Sequence, residues 1–434
     1  MTDLVRRLGV TDAVVVGLGA MLGAGVFAAF APAAQAAGSG LLIGLAIAAV
    51  VASCNATSSA RLAAVHPESG GTYVYARRRL GEFWGFQAGW SFVVGKTASC
   101  AAMALTFASY AAPGHARLVG ILAVVAVTAL NYRGVQKSAL VTRVIVVLTL
   151  GTLALVVGAS VAGGTASTDN LTGVDLGGVL QSAGLLFFAF AGYARIATLG
   201  EEVVDPQRTI PRAVPLALGI VLVVYAVVGV CALLALGPDG LAATAAPLRA
   251  VVEAGAWAAL SPVVQVGAAV ASLGALLALV LGVSRTAFAM ARDHELPPYL
   301  AAVHPRHGVP YRAELAVAAV VVALVATLDV RGAIGFSSFG VLTYYALTNA
   351  SALRLGRDEG RPPRWVAVLG LVGCVVLALT LPLPSVLGGL AVALVGAGAW
   401  AVRRGRGRRG APPPRAVGAP GPPPGAPTPR GGGG

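Results

Sequence analysis

The chain has 434 residues, 57% of them apolar and only 11% charged, which is too little charge to cover the surface of a soluble protein of this size. Its formal net charge of +14 is spread over short loops between apolar stretches. That is the pattern that orients membrane helices, and it argues against a nucleic-acid footprint.

In chain order, apolar stretches predict twelve spans, at 11–35, 40–63, 83–111, 117–132, 138–162, 178–200, 212–236, 258–289, 313–329, 333–354, 365–381 and 385–402. Most are about twenty residues long, enough to cross a hydrocarbon core of about 30 Å. An even number of spans puts both termini on one side. With the N-terminus cytoplasmic, 26 of the 31 Lys and Arg fall on the cytoplasmic side. Arg117, Arg249 and Arg331 fall outside, Lys96 and Arg195 are set apart as span residues, and the 26 include Arg61, Arg143, Arg212, Arg285 and Arg354 at the cytoplasmic ends of their spans. The asymmetry predicts a multi-pass protein of a bacterial plasma membrane with both termini in the cytoplasm. The expected organisation is one all-α membrane domain over 1–404, with a Pro/Gly/Arg-rich tail at 405–434 that has too few apolar residues to order itself. The run from Arg403 to Arg409 lies beside the last span, where anionic lipid headgroups are expected. Cys54, Cys100, Cys231 and Cys374 fall inside spans without CxxC spacing and read as small buried hydrophobes. No A-x-A cleavage site is followed by a soluble domain, so the first span is expected to be retained.

Two spans are interrupted. The first contains Gly17, Gly19, Gly23 and Gly25 within nine residues, which weakens a helix there. The sixth carries Gly192 in the middle of Phe187-Phe188-Ala189-Phe190-Ala191-Gly192-Tyr193. These spans open two consecutive blocks of five. Interruptions at corresponding places in two halves point to a transporter's midplane site.

At these residues the chain resembles the amino acid–polyamine–organocation superfamily of permeases. The segment Gly19 to Phe27 is similar to that family's G-x-M-I-G-x-G-I-F motif. His66-Pro67-Glu68-Ser69-Gly70-Gly71-Thr72-Tyr73-Val74-Tyr75 is similar to its P-E-S-G-G-x-Y-x-Y, followed as expected by Gly85 to Trp90. Phe188 through Gly192 to Glu201-Glu202 and Asp205 to Pro211 is similar to F-x-G-(Y/F)…E-E…N-P-x-x-x-I-P. Ser284-Arg285 through Asp293 to Leu296-Pro297 completes the series. The matches cover residues 10 to about 300 in order. The resemblance implies the LeuT-type fold, with inverted repeats over about 11–162 and 178–354, two further helices over about 365–402, and alternating access around the breaks in spans one and six. It also implies that backbone N–H groups of Gly23, Ala24 and Gly25 hold a substrate carboxylate, as a helix N-terminus does. Carbonyls of Met21, Phe188 and Ala191 then meet the substrate ammonium. Gly192 sits at the break, and Phe190 and Tyr193 are candidate walls or gates, with ordinary helix packing an equal alternative.

Lys96 lies about thirteen residues into its span. An ionisable group at that depth is expensive, so it marks a functional candidate. A lysine that must lose its water to sit there is a candidate proton carrier. Many prokaryotic relatives carry a lysine in span five, where this chain has Thr149. Either Lys96 takes over the fixed charge, or coupling is lost, or a sodium ion returns to a site that Thr149 and Ser272 help to form. Sodium is the weaker alternative, because such hydroxyls usually bond their own backbone. Arg195 lies past the break in span six. It is placed to pair with Glu201 or to close an inner gate on Asp12, and a surface arginine reaching for the interface is an equal alternative.

No acid lies mid-span, and Ala194 stands where a basic-substrate carrier would place a carboxylate. The expected cargo is therefore a small neutral amino acid, with an acidic one behind it. Arginine, lysine, polyamines and other organic amines are the alternatives. His304 and His307 have loose metal spacing without a cysteine partner and read as loop histidines, so no metal or other cofactor is expected. A membrane enzyme would need a nucleophile with its base, or a metal cluster, facing a cavity. The spans supply neither, so no catalytic residue is assigned. A channel or a transport-like sensor would keep the broken helices but lack saturable flux. Uptake against exchange, the coupling ion and the oligomeric state stay open at this point.

Overall fold

The computed structural model describes residues 8–68, 70–134, 139–171, 173–198 and 202–410, apart from the side chains of 139 and 405–410. Among them the only β pairing is two isolated bridges, Leu8 with Val203 and Gly38 with Val174. Everything else of regular structure is helical. The helices are α1 (Val10–Met21), α2 (Ala24–Ala28), α3 (Phe30–Ala37), α4 (Leu41–Val65), α5 (Thr72–Leu80), α6 (Glu82–Ala111), α7 (Ala116–Tyr132) and α8 (Ala139–Ala162). They continue as α9 (Val179–Phe190), α10 (Ala194–Ala197), α11 (Pro206–Ala242), α12 (Pro247–Glu253), α13 (Ser261–Arg292), α14 (Tyr311–Thr327), α15 (Val330–Ala352), α16 (Arg364–Leu379) and α17 (Leu383–Gly410).

Helix therefore occupies every position where the sequence predicts a span. Nine helical stretches among the described residues are long and apolar enough to cross a membrane. The helices over 311–327, 330–352 and 364–379 are too short or too polar to pass that test. α11 is interrupted at Gly237, whose φ of 65° and ψ of 174° leave the helix just before Pro238. The predicted end at 236 falls at this kink. The last helix runs on to Gly410, into the segment read as tail; residues 411–434 lie outside the described ones.

The outer faces are apolar. Leu140, Val147, Val223 and Leu394 are each at least 63% exposed, as side chains facing lipid are. Inside, α6 packs against α13 and α15, while α4 packs against α9 and α11. Polar side chains tie these helices together. Asn349 on α15 donates to Asn55 on α4 at 2.5 Å, and Ser58 donates to Asn349 at 2.7 Å. Asn55 in turn donates to the Cys374 sulfur on α16 at 3.2 Å. Lipid offers no hydrophobic gain for bringing helices together, so such bonds and close packing of small residues carry the association.

The segment after α4 forms α5 and braces the ends of α13 and α15. Thr72 N donates to Tyr344 Oη at 3.0 Å, and Thr72 and Thr348 hydroxyls meet at 2.7 Å, fixing α5 to α15. Tyr73 donates to Asp293 at 2.6 Å, and Arg77 pairs with both Asp293 and Glu295 beyond the end of α13. Arg79 pairs with Glu359 and donates through Nε to His66 Nε2 at 3.1 Å. Burial, with Arg79 and Arg78 alongside, pushes the His66 pKa below its ordinary 6.5. An imidazole that accepts from arginine has to stay neutral.

Candidate functional site

The two predicted interruptions are present. α1 stops at Met21, and Gly23 (φ −87°, ψ −138°) is non-helical. Helical dihedrals resume at Ala24 and run through Ala29 into α3. α9 stops at Phe190, passes through a 3-10 turn over Ala191–Tyr193, and resumes as α10.

These two breaks touch backbone to backbone. A Cβ on Gly192 would stand 2.5 Å from the Ala20 carbonyl and 2.7 Å from Met21 N. A Cβ on Gly25 would stand 2.7 Å from the Ala189 Cα. No real Cβ makes such contacts, so only glycine permits this approach. Gly192, which looks unremarkable alone in a membrane helix, is the residue on which the first break rests.

The freed carbonyls are capped by side chains from three other helices. Tyr225, from α11, donates to Met21 O at 2.5 Å, and Ala189 O lies within 2.9 Å of the same hydroxyl. The Ala191 carbonyl accepts from Lys96 Nζ at 3.1 Å and from Tyr345 Oη at 3.2 Å. Lys96 is 8% exposed and, among the described residues, forms no ion pair. It is held instead by one carbonyl in a region where an unpaired cation costs several kcal/mol. Its position follows from the crossing of α6 with α15, where a Cβ on Gly340 would lie 2.7 Å from the Gly95 Cα. One turn further on, the Ser99 and Ser337 hydroxyls meet at 2.6 Å.

The aromatic residues around the break pack closely. Phe190 is fully buried with its ring centroid 5.1 Å from that of Tyr225. Tyr193, also fully buried, stacks on Tyr345 at 5.0 Å. Phe188 is 7% exposed, and Met21, Gly23, Ala24 and Gly25 are all buried. The candidate residues on the two breaks thus come together with Lys96 in one occluded centre.

The remaining candidates lie elsewhere. The Thr149 hydroxyl bonds its own helix at Ile145 O, 2.7 Å away, while the buried Ser272 hydroxyl has no hydrogen-bond partner among the described residues. The pairing of Arg195 with Asp12 is corrected. Asp12 pairs with Arg143 on α8 and accepts from Gly9 N at 3.4 Å, which satisfies it at the start of α1. Arg195 is exposed, in the fields of Glu202 and Arg285, and Glu201 lies outside the described residues.

Sequence reasoning missed Tyr225 and Tyr345. A tyrosine deep in an aliphatic span needs a partner for its hydroxyl, and that was the available signal. It also missed Glu314, fully buried in the first turn of α14 beside Asn131. Among the described residues no group of three or more His, Cys, Asp or Glu is arranged to hold a metal.

The family model described as amino acid permease matches residues 8–399 of this chain. The chain belongs to the amino acid permease family. It is a multi-pass membrane transporter of the amino acid–polyamine–organocation superfamily, not an enzyme, and membership of the family implies an amino acid as its small-molecule substrate. An uncharacterized transporter of Mycobacterium tuberculosis is 66% identical over 405 residues, covering 93% of this chain and 92% of its own. The branched-chain amino acid permease of Bacillus subtilis is 26% identical over 387 residues, 83% of each chain. A vacuolar cationic amino acid transporter of Arabidopsis thaliana is 28% identical over 391 residues, 81% of this chain and 64% of its own. The relatives' names thus differ in cargo: branched-chain amino acids, cationic amino acids and, for a Bacillus subtilis protein 28% identical over 336 residues, methylthioribose.

Proposed function

We propose that the chain is a secondary active carrier of a small neutral amino acid, working by alternating access in a bacterial plasma membrane with both termini cytoplasmic. In this reading twelve helices span the membrane as two inverted five-helix repeats plus two further helices. The meeting of the two helix breaks carries the proposal. Irregular backbone is tolerated at membrane depth only where protein or a cavity satisfies it. Here the donors that satisfy it are movable side chains.

The substrate carboxylate binds at the N–H groups of Gly23, Ala24 and Gly25, where the backbone turns back into helix. Its ammonium replaces Lys96 and Tyr345 at the Ala191 carbonyl, with the carbonyls of Met21 and Phe188 alongside. Phe190, Gly192 and Tyr193 move with the break as the site opens. Lys96 acts as the tethered cation of the empty carrier. On displacement it releases its proton, so transport is coupled to H⁺. Thr149 and Ser272 would matter only in a sodium-coupled carrier, and the self-bonded Thr149 hydroxyl weighs against that alternative. No described carboxylate pairs with Lys96, so a cationic side chain would find no counter-charge beside it. That favours a neutral cargo over arginine or a polyamine.

Counterflow in sealed proteoliposomes tests the proposal without requiring an ion gradient. Liposomes loaded in turn with each amino acid and with common polyamines should accumulate labelled tracer for neutral amino acids. Accumulation with arginine or polyamines alone would reverse the specificity. Unsaturable flux would mark a channel, and absence of exchange across the whole panel would favour a transport-like sensor.

A further inference from the structure

A cleft of about 330 Å³ opens between α4 and α11, away from the two breaks. Ser53, Thr57 and Arg61 line it from one face of α4, at i, i+4 and i+8. Pro211, Pro215 and Leu222 line the facing side from α11. Next to the cleft, Val50, Leu216 and Val223 are exposed aliphatic side chains, so it opens onto the lipid-facing surface.

Two features give the cleft a chemical character beyond shape. Arg61 sits in the last turns of α4, within reach of the membrane interface. It is exposed and, among the described residues, pairs with no acid; its guanidinium lies near Gly360. The nearby Glu359 is already engaged by Arg79. The second feature is the pair of prolines. Pro215, which lines the cleft with Pro211, lacks the N–H that an uninterrupted helix would direct at the Pro211 carbonyl, so that acceptor is without its usual donor. The Thr57 and Ser53 hydroxyls donate to their own helix at 2.8 Å and keep their acceptor capacity. The cleft thus combines a free cation at the interface, acceptors for hydroxyl groups just below it, and an apolar wall of Leu218 and Leu222 deeper in the bilayer.

We propose that this cleft binds one anionic glycerophospholipid from the leaflet on the side of Arg61. The lipid phosphate lies on the Arg61 guanidinium, headgroup or glycerol hydroxyls meet the unbonded acceptors, and one acyl chain runs along α11. Basic pockets between membrane helices recognise lipid headgroups in this way. The inference is independent of which amino acid is carried and of the side on which the termini lie.

Lipid retention by the full chain tests it. The protein is purified from bacterial membranes in mild detergent, washed through prolonged detergent exchange, and its remaining lipids are identified and counted by mass spectrometry. The wild type is expected to keep one phosphatidylglycerol or other anionic lipid per chain. Arg61→Gln should weaken retention about fivefold, the worth of one interfacial arginine. A Cβ on Gly219 meets nothing within 4 Å, so Gly219→Leu fills the cleft without strain. It should abolish retention while leaving the melting temperature and counterflow intact. Retention that is equal in the wild type and Gly219→Leu would overturn the proposal. So would retained phosphatidylethanolamine with no loss in Arg61→Gln.

Discussion

The two helix breaks are built by different means. In the first, Gly23 leaves the helix, Gly25 lets the resumed helix press on Ala189, and the Met21 carbonyl accepts from Tyr225. The second passes through a tight 3-10 turn, and its carbonyl at Ala191 is held by Lys96 and Tyr345 from two other helices. Glycine makes the first break, whose Met21 carbonyl shares the Tyr225 hydroxyl with Ala189 O, whereas two donors from other helices converge on one carbonyl of the second. A break held by two donors at one carbonyl changes state when a ligand competes for that carbonyl, so the second is the one suited to sense the substrate.

The largest effect should come from wedging the breaks apart. Gly192→Val puts side-chain atoms onto the Ala20 carbonyl, and it should abolish counterflow and destabilise the fold by about 3 kcal/mol. A thermal-shift assay and counterflow that both match the wild type would show that the close approach is dispensable. Removing the donor shared by the breaks comes next. Tyr225→Phe leaves the Met21 and Ala189 carbonyls without their bond, at a cost of about 1–3 kcal/mol. That loss should appear as a lower melting temperature, with transport reduced but present.

Lys96→Met separates stability from coupling. A buried cation that lacks an acid is expensive, so the melting temperature should hold or rise. The pH dependence of transport should flatten at the same time. An unchanged pH profile would leave Lys96 a packing or contact role and remove it from coupling.

The smallest effect lies outside both breaks. The folded state favours neutral His66, because burial and two arginines hold its pKa below 6.5. Its contribution to stability is therefore present above about pH 6.5 and is lost as pH falls through that range, where the unfolded chain binds the proton more readily. Melting temperatures between pH 7.5 and 5.5 should fall less steeply in His66→Gln, which keeps an acceptor for Arg79. Equal slopes would disconnect His66 from the brace that α5 forms.

The same contrast explains what the sequence made legible. Glycine clusters and apolar lengths are local features, so the first break, the helix positions and Lys96 could all be read from the chain. Tyr225 and Tyr345 act across the fold on carbonyls 204 and 154 residues away, and no local pattern announces such a pairing. Asp12 misled for the same reason. Its charge was evident, but its partner Arg143 depends on how α1 and α8 pack. Glu314, near the predicted start of a span, is enclosed by packing beside Asn131, which no local pattern announces either.

The central claim is that the first break holds a carboxylate while the second holds an ammonium. Inhibition of counterflow tests this most directly, using the transported amino acid, the amine that lacks its carboxylate, and the 2-keto acid that lacks its ammonium. The account predicts that the intact zwitterion inhibits at least about tenfold more tightly than either analogue, since each lost charged contact is worth about 1.5–3 kcal/mol. An amine or keto acid that inhibits as well as the zwitterion would contradict it, because one of the two breaks would then contribute nothing to binding.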